Sequence, residues 1–212
     1  QVLLRTTDGG DMRYQSLDPA TGAERWRRDS GHQCLQRFEV SGSAGLVALF
    51  ELCGDTLTRV SAADGRDVWK TRMGTFDAAV PRQLQVFRDG VFVVDNARVS
   101  AFRAIDGTKA WEAPQGVGQP FDAVLGAGGL VVYGPRDAVE LSLADGQTLW
   151  RWSTTQGTIR LVSTTGDRVL AVVQAPDPQT DTLVVLAGKS ARKVGTAVLG
   201  GFLASPLVVH GD

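Results

Sequence analysis

A motif that ends in tryptophan recurs four times along the chain, and its spacing constrains the fold more than any other feature. The motif reads Thr-Gly-Ala-Glu-Arg-Trp at residues 21–26, Asp-Gly-Arg-Asp-Val-Trp at 64–69, Asp-Gly-Thr-Lys-Ala-Trp at 106–111 and Asp-Gly-Gln-Thr-Leu-Trp at 145–150. Its glycines are 43, 42 and 39 residues apart and are Gly22, Gly65, Gly107 and Gly146. A further 42 residues lead to Gly188, which predicts a fifth, degenerate copy with Arg192 at the tryptophan position. Repeats of about 42 residues are typical of β-propeller blades.

Each repeat predicts four short strands separated by turn signals. In the third copy these strands are expected at residues 82–87, 91–95, 99–104 and 108–112. The Asp-Gly pair before the last strand predicts a type I′ turn, with positive φ at both central residues. The second strands are continuous apolar runs at residues 46–50, 91–94, 130–133 and 169–173, which predicts burial on both faces. The sequence therefore predicts an all-β propeller of five four-stranded blade equivalents, in a single domain spanning residues 1–212.

The repeat resembles that of the quinoprotein dehydrogenases, whose propeller blades carry a Thr/Asp-Gly-x-x-x-Trp stretch. The resemblance implies that one tryptophan per blade docks against the next blade and closes a girdle around the ring. The residues that match these positions are the tryptophans Trp26, Trp69, Trp111 and Trp150 and the turn glycines Gly22, Gly65, Gly107 and Gly146. Many relatives with this repeat are non-catalytic proteins of the cell envelope. Likeness of fold alone is weak support for a function.

Quinone chemistry is the obvious enzymatic candidate, and the cysteines argue against it. By the same resemblance, the dehydrogenases hold their cofactor with a vicinal disulfide, a carboxylate-bound calcium ion and a tryptophan floor. Here the only cysteines are Cys34 and Cys53, which are 19 positions apart and cannot form a vicinal ring. His32 and His210 are isolated, and no Gly-x-Ser-x-Gly elbow or dinucleotide fingerprint occurs. We therefore expect no catalytic residue, no cofactor and no metal.

Four other features have a structural interpretation that outweighs the functional one. The acidic stretch at residues 177–181 indicates a solvated loop, and the glycines of residues 126–129 indicate a hairpin turn without a helix after it. The arginines at 25, 27 and 28 indicate a solvated basic face. Trp152 lies outside the repeat and shares a strand face with Trp150, where it either packs or forms a surface contact.

The two cysteines carry information about compartment. A hairpin centred between Ser43 and Ala44 places Phe38 opposite Leu49, Val40 opposite Val47 and Cys34 opposite Cys53. Directly opposed Cβ atoms lie about 4.5–5.5 Å apart, which permits a disulfide after a small adjustment. A Cys34–Cys53 disulfide implies an oxidising compartment outside the cytoplasm, secreted or anchored at the envelope.

Charge and hydropathy restrict the partners. Lys and Arg total 22 against 23 Asp and Glu, a net charge of −1, so no overall field favours nucleic acid. The longest uncharged apolar stretch, residues 123–134, is too short to span a bilayer. The chain begins with Gln, which indicates that a targeting segment was removed or that the sequence starts internally, and leaves open an upstream membrane or lipid anchor.

These observations favour a non-enzymatic scaffold of the bacterial cell envelope that binds other proteins. Two alternatives come from other classes: a fragment of a quinoprotein-type oxidoreductase, or a small-ligand sensor that uses the central funnel. The two ends of the chain suggest ring closure, with residues 203–209 pairing antiparallel with residues 2–7 and so removing exposed sheet edges. The competing account is a fragment of a larger, seven- or eight-bladed propeller.

Overall fold

The chain folds into small antiparallel sheets without any helix in the part described. A computed structural model describes residues 2–8, 11–30, 34–41, 45–74, 83–87, 89–95, 98–114, 116–117, 122–126, 128–176 and 180–200. These residues contain 19 strands. The strands form one three-stranded sheet and four four-stranded sheets, and in each sheet the strands follow one another in chain order.

The strand bounds follow the repeat. The first sheet contains β1 (Val2–Asp8), β2 (Asp11–Leu17) and β3 (Glu24–Ser30). The second contains β4 (Leu35–Ser41), β5 (Gly45–Cys53), β6 (Thr56–Ser61) and β7 (Asp67–Arg72). The third contains β8 (Gln83–Phe87), β9 (Gly90–Val94), β10 (Arg98–Arg103) and β11 (Lys109–Pro114). The fourth contains β12 (Asp122–Leu125), β13 (Gly129–Tyr133), β14 (Asp137–Ser142) and β15 (Thr148–Ser153). The fifth contains β16 (Thr158–Thr165), β17 (Arg168–Gln174), β18 (Thr180–Ala187) and β19 (Lys193–Gly200).

The chain divides into two compact units. One unit comprises residues 1–92 and 102–109, and the other comprises residues 93–101 and 110–212. The first unit contains the first two sheets and the second contains the fourth and fifth, while the third sheet contributes residues to both. That the whole chain forms one domain stays a prediction.

The second strands are buried on both faces, as the apolar runs predict. All residues from Val91 to Val94 in β9 and from Leu130 to Tyr133 in β13 are buried, as are those from Val169 to Val173 in β17. Because successive side chains of a strand point to opposite faces, burial of every residue requires a cover on each side. The prediction from the continuous apolar runs is confirmed for these three strands.

The first sheet differs from the expected four strands because three strands form it among the described residues. Its strand β1 pairs with β2 from Val2↔Leu17 to Asp8↔Asp11 and has the place that second strands have in the other sheets. The strand expected to complete this sheet, residues 203–209, lies outside the described residues. Closure by pairing with residues 2–7 therefore stays a prediction.

The Asp-Gly turns are longer than the predicted type I′ turn. Positive φ occurs at Gly65, Gly107 and Gly146 (72°, 72° and 73°), whereas the preceding aspartates have negative φ. In the second sheet Gly65 N donates to Ser61 O at 2.9 Å, and Ser61 N donates to Arg66 O at 2.8 Å, which encloses four turn residues. The type I′ prediction is wrong because in this longer turn only the last residue is left-handed, as glycine permits.

The aspartate of each turn has a separate role as a hydrogen-bond acceptor. Asp106 Oδ1 accepts hydrogen bonds from the hydroxyl of Thr108 at 2.7 Å and from its backbone N–H at 3.0 Å. These two bonds hold the pKa of Asp106 below its usual value. Asp145 accepts from the backbone N–H of Gln147 at 3.1 Å in the same way. An aspartate that bonds the amide two residues later favours the turn.

The fifth copy lies three residues later than the sequence spacing suggests. Its turn bonds are Ala191 N to Ala187 O at 2.8 Å and Ala187 N to Arg192 O at 2.9 Å, the pattern of the four other turns. Ala191 therefore occupies the glycine position, and its φ is +50°. Gly195, rather than Arg192, stands at the tryptophan position. The strands of the fifth sheet are longer than those of the fourth: β17 and β18 have 7 and 8 residues, whereas β13 and β14 have 5 and 6.

The hairpin of β4 and β5 contains the predicted disulfide. Cys34 and Cys53 are bonded, with their Cα atoms 4.4 Å apart. Phe38 pairs with Leu49 as expected, but Val40 pairs with Leu46 rather than Val47, because the register shifts between Glu39 and Val40. This register shift affects only the residues nearest the turn. At the other end of the hairpin Leu35 still pairs with Leu52, so Cys34 and Cys53 face each other.

Reduction of this disulfide is expected to lower the free energy of unfolding by about 3 kcal/mol, because it closes a loop of about 20 residues in the unfolded chain. Urea melts of oxidised protein and of Cys34→Ser/Cys53→Ser protein measure the difference. Mass spectrometry of unreduced peptides provides the control that the bond exists in purified protein. Equal midpoints for the two forms, with the bond present in the first, would contradict the prediction.

Candidate interaction surface

The four motif tryptophans each donate a hydrogen bond to the turn of the next sheet. Trp26 Nε1 donates to Ala62 O at 2.8 Å, and Trp69 Nε1 donates to Ala104 O at 3.0 Å. Trp111 Nε1 donates to Leu143 O at 2.9 Å, and Trp150 Nε1 donates to Gly188 O at 2.6 Å. Each acceptor lies three residues before the left-handed turn residue. Gly188 is thus a tryptophan acceptor, and its own N–H donates to Asp167 O at 2.6 Å.

The turn glycines leave room for these indole rings. An alanine Cβ at Gly107 would lie 2.6 Å from Trp69 Cε3, and one at Gly146 would lie 2.6 Å from Trp111 Cε3. At Gly22, in the first sheet, a Cβ would meet nothing within 4 Å. A contact of 2.6 Å is far shorter than a normal carbon–carbon contact. The indole rings of Trp26, Trp69 and Trp111 therefore pack closely on the turn glycines Gly65, Gly107 and Gly146.

The predicted basic face is instead a set of ion pairs. Arg25 pairs with Asp18 at 2.6 Å and Arg27 pairs with Glu24 at 2.7 Å, both at the surface. Arg28 Nη2 pairs with the buried Glu51 at 2.7 Å and with Asp67 at 2.9 Å. Burial opposes the charge of Arg28, but the hydrogen bonds and negative charges of Glu51 and Asp67 together outweigh it and raise the pKa of the guanidinium. All three arginines therefore form ion pairs with carboxylates of the first unit.

Trp152 is the one tryptophan of the described chain that is used differently. It is half-buried and packs against a hydrophobic cluster of the fourth and fifth sheets that includes Ile159 and Val184. Its partner across the sheet is Ala138, two residue pairs beyond the Glu140↔Trp150 pair. Among the described residues its Nε1 donates to no protein acceptor. An indole that is packed on one side and has an unused N–H is suited to contact a partner molecule.

A pocket of about 160 Å³ opens beside this ring, and we call it the Trp152 pocket. Its other walls are Ser153 at the end of β15, residues 154–156 after it, and Val184 and Lys193 of the fifth sheet. Pockets for drug-sized ligands and cofactors are typically about 300–1,000 Å³. A cavity of about 150 Å³ holds a single ring such as benzene. The Trp152 pocket thus has the size of one side chain.

The outer strand β19 continues this surface, and we call its free side the β19 edge. Within the described chain, β19 pairs with β18 alone. Its only charge is Lys193 at the first position, so residues 194–200 form an uncharged run. Val198 is 74% exposed and Val194 is 40% exposed. The other outer strands carry charges along their length, from five in β3 to one in the middle of β15.

Among the described residues, no group of three or more His, Cys, Asp and Glu side chains is placed to hold a metal ion. The acidic stretch contributes Asp181 to the described part, where it is buried on β18, while residues 177–179, His32 and His210 lie outside it. Gly126 and Gly128 lie between β12 and β13, and Gly129 is the first residue of β13. The backbone N–H of Gly128 donates to Oε1 of the buried Glu140 at 3.1 Å. No helix of the described chain is long and apolar enough to cross a membrane.

The repeat geometry agrees with the comparison of sequences. The profile of a family described as "Outer membrane protein assembly factor BamB" matches residues 10–211. The chain belongs to this BamB family. Among curated protein sequences, no match to the chain is found.

Solved structures show the same fold. BamB from Moraxella catarrhalis is 16% identical with a TM-score of 0.59, and the match covers 94% of this chain and 61% of that protein. The computationally designed Ika8 protein is 12% identical with a TM-score of 0.63, covering 91% of this chain and 60% of that one. Hsv2p from Kluyveromyces lactis is 14% identical with a TM-score of 0.59, covering 92% and 59%. These likenesses show a β-propeller fold, and the chain spans about three-fifths of each protein.

Neither the Trp152 pocket nor the β19 edge is among the sites that the sequence predicts. The signal for the edge was readable, because residues 194–200 contain no charge and no proline. The glycine spacing hides this signal, because it places the fifth copy three residues earlier and so puts Arg192 on the outer strand. The pocket depends on the approach of β15 to β18 and β19, and no local pattern encodes that approach.

Proposed function

We propose that this chain is a non-enzymatic scaffold of the bacterial cell envelope that binds other proteins at the β19 edge. The single observation that carries the proposal is an outer strand with a long, uncharged and exposed free edge. Membership of a family of outer membrane protein assembly factors supports the envelope role. The Cys34–Cys53 disulfide supports a place outside the cytoplasm, since such bonds persist in oxidising compartments.

The chemistry of the edge favours an extended polypeptide as partner. A free strand edge presents backbone N–H and C=O groups in the spacing that another strand matches. Soluble proteins usually protect such edges with charges, proline or bulges. The outer strand β11 carries Lys109, Glu112 and Pro114, whereas β19 carries none of these after Lys193. An unprotected edge in one repeat, beside protected ones, is suited to strand addition.

Val198→Lys is expected to weaken this binding roughly tenfold, because a charge on the edge opposes strand pairing. The probe is a dye-labelled outer-membrane β-barrel protein, unfolded in urea and diluted, whose binding is followed by fluorescence anisotropy. The matched control is Val68→Lys on β7, which replaces another exposed valine of an outer strand. Both variants should keep the stability of the parent within about 0.5 kcal/mol, since they change exposed surface.

Equal weakening by Val198→Lys and Val68→Lys would show that charge alone matters and would overturn the assignment of the β19 edge. Failure of the parent protein to bind any unfolded β-barrel protein would overturn the proposed function itself.

A further inference from the structure

The turn before β19 reverses a charge balance that the other four turns keep. Ten-residue windows around the turn position, at residues 18–27, 61–70, 103–112 and 142–151, are each electrically neutral. The corresponding window in the fifth copy, residues 187–196, carries a net charge of +3. Its cations are Lys189, Arg192 and Lys193, and Ser190 stands where three other copies have aspartate.

These cations are not neutralised within the described chain. Lys189, Arg192 and Lys193 are exposed, and none of them forms an ion pair with a described residue. In the first three copies the charges of the turn are matched by local ion pairs, as in the Arg103–Asp106 pair at 3.4 Å. An unmatched cluster of three cations attracts an anionic partner.

Lys193 connects this charge to the Trp152 pocket, because it is one of the residues that line the pocket. Trp152 also lines this pocket, and its indole N–H donates to no acceptor among the described residues. The nearby Asp137 does not compensate them: it pairs with Ser153 across the sheet, and Ser153 Oγ donates to Asp137 Oδ1 at 2.6 Å. Since Trp152 and Ser153 are consecutive on β15, their side chains point to opposite faces. The side chains of Ser153 and Asp137 therefore lie on the face opposite the indole, although Ser153, the last residue of β15, also borders the pocket.

We propose that the Trp152 pocket binds the carboxylate of a glutamate or aspartate side chain carried by a partner polypeptide. Lys193 and the Trp152 N–H donate to the carboxylate, and the indole face packs against its methylene groups. The volume of about 160 Å³ fits one such side chain. The proposal rests on the proposed function. Lys193 is the first residue of β19, so an acidic residue at the end of a partner strand that pairs with β19 is placed to reach it.

A small probe tests the pocket without the edge. N-acetyl-glutamate N-methylamide is titrated into ¹⁵N-labelled protein, and the indole N–H signal of Trp152, identified by Trp152→Phe, is followed. We expect a saturable shift that the glutamine analogue produces at least about tenfold more weakly, since a hydrogen bond to a charged group exceeds a neutral one by about this factor. Lys193→Gln should abolish the preference for glutamate.

The matched control is Lys189→Gln, which removes the same charge from the same turn but from a residue outside the pocket walls. It should keep the preference for glutamate. If Lys189→Gln and Lys193→Gln lose the preference for glutamate equally, the preference comes from the overall positive charge of the turn. That result would overturn the proposal of a carboxylate-binding pocket. A Trp152 shift with phosphatidylglycerol vesicles, but not with the glutamate probe, would also overturn it and identify a membrane surface as the partner.

A second arm separates this proposal from the proposed function. Two C-terminally amidated β-strand peptides are compared that differ only by Glu or Gln at one end. Preference for the Glu peptide, lost in Lys193→Gln, supports both proposals. Equal binding of the two peptides, still weakened by Val198→Lys, leaves the β19 edge in place and overturns the carboxylate pocket. If the small probe binds but neither peptide does, the claim that the carboxylate belongs to a partner polypeptide is overturned.

Discussion

Replacing Trp111 by alanine is expected to lower the free energy of unfolding by about 3–5 kcal/mol. The ring is buried, it packs against Gly146 of the next turn, and its Nε1 donates to Leu143 O at 2.9 Å. The substitution removes this packing, leaves a cavity and deprives the carbonyl of its donor. Urea melts followed by far-ultraviolet circular dichroism measure the change. Trp69→Ala is expected to behave alike, because Trp69 makes the same contact with the turn at Gly107.

Trp152→Ala is the control, because Trp152 is half-buried and donates no hydrogen bond to a described residue. Its loss should be clearly smaller than that of Trp111→Ala. Equal losses at the three positions would mean that the repeated indoles have no special place in the fold, and would contradict the girdle role that the resemblance implies.

Gly107→Ala is expected to lower the free energy of unfolding by about 3 kcal/mol, through two separable effects. The first is the left-handed backbone, with φ of +72°, which disfavours any side chain by about 1–2 kcal/mol. The second is a clash, because the new Cβ would lie 2.6 Å from Trp69 Cε3 and 2.7 Å from Thr71 Oγ1. Overpacking of this kind costs about 1–3 kcal/mol.

Gly22→Ala separates the two effects, because Gly22 has nearly the same φ of +71° but no atom within 4 Å of the added Cβ. It should lower the free energy of unfolding by about 1 kcal/mol, the backbone part alone. The same denaturant melts give both numbers. If the two substitutions destabilise equally, the approach of Trp69 to Gly107 is not a tight contact in the folded protein.

Much of the fold could be predicted from local patterns. The spacing of the motif predicts the repeat, and continuous apolar runs such as residues 130–133 predict strands buried on both faces, because burial of consecutive residues requires two covers. Glycine before the outer strand predicts a left-handed residue, which the structure has at Gly65, Gly107 and Gly146. The Cys34–Cys53 pairing followed from hairpin register, although a shift at Val40 moved the turn side by one residue.

The fifth copy shows where such patterns stop. A left-handed residue need not be glycine, and Ala191 has this conformation because its backbone bonds to Ala187 define the turn. Counting from glycine to glycine therefore selected Gly188, which instead accepts the hydrogen bond of Trp150. Likewise, an Asp-Gly pair alone does not distinguish a two-residue turn from a four-residue turn. The difference lies in which backbone groups of the two flanking strands form the closing hydrogen bonds, such as Ser61 N to Arg66 O.

The sequence by itself determined the period of the repeat, the class of fold and the pairing of the two cysteines, because these depend on spacing along the chain and on the alternation of a strand. Only the tertiary structure decided the register of the fifth copy, the pairing of Arg28 with Glu51, and the meeting of Trp152 with Lys193. The residues of the two pairs, Arg28 with Glu51 and Trp152 with Lys193, are 23 and 41 positions apart and lie on different sheets. Their partners are selected by the packing of one sheet on the next, which no local pattern of residues encodes.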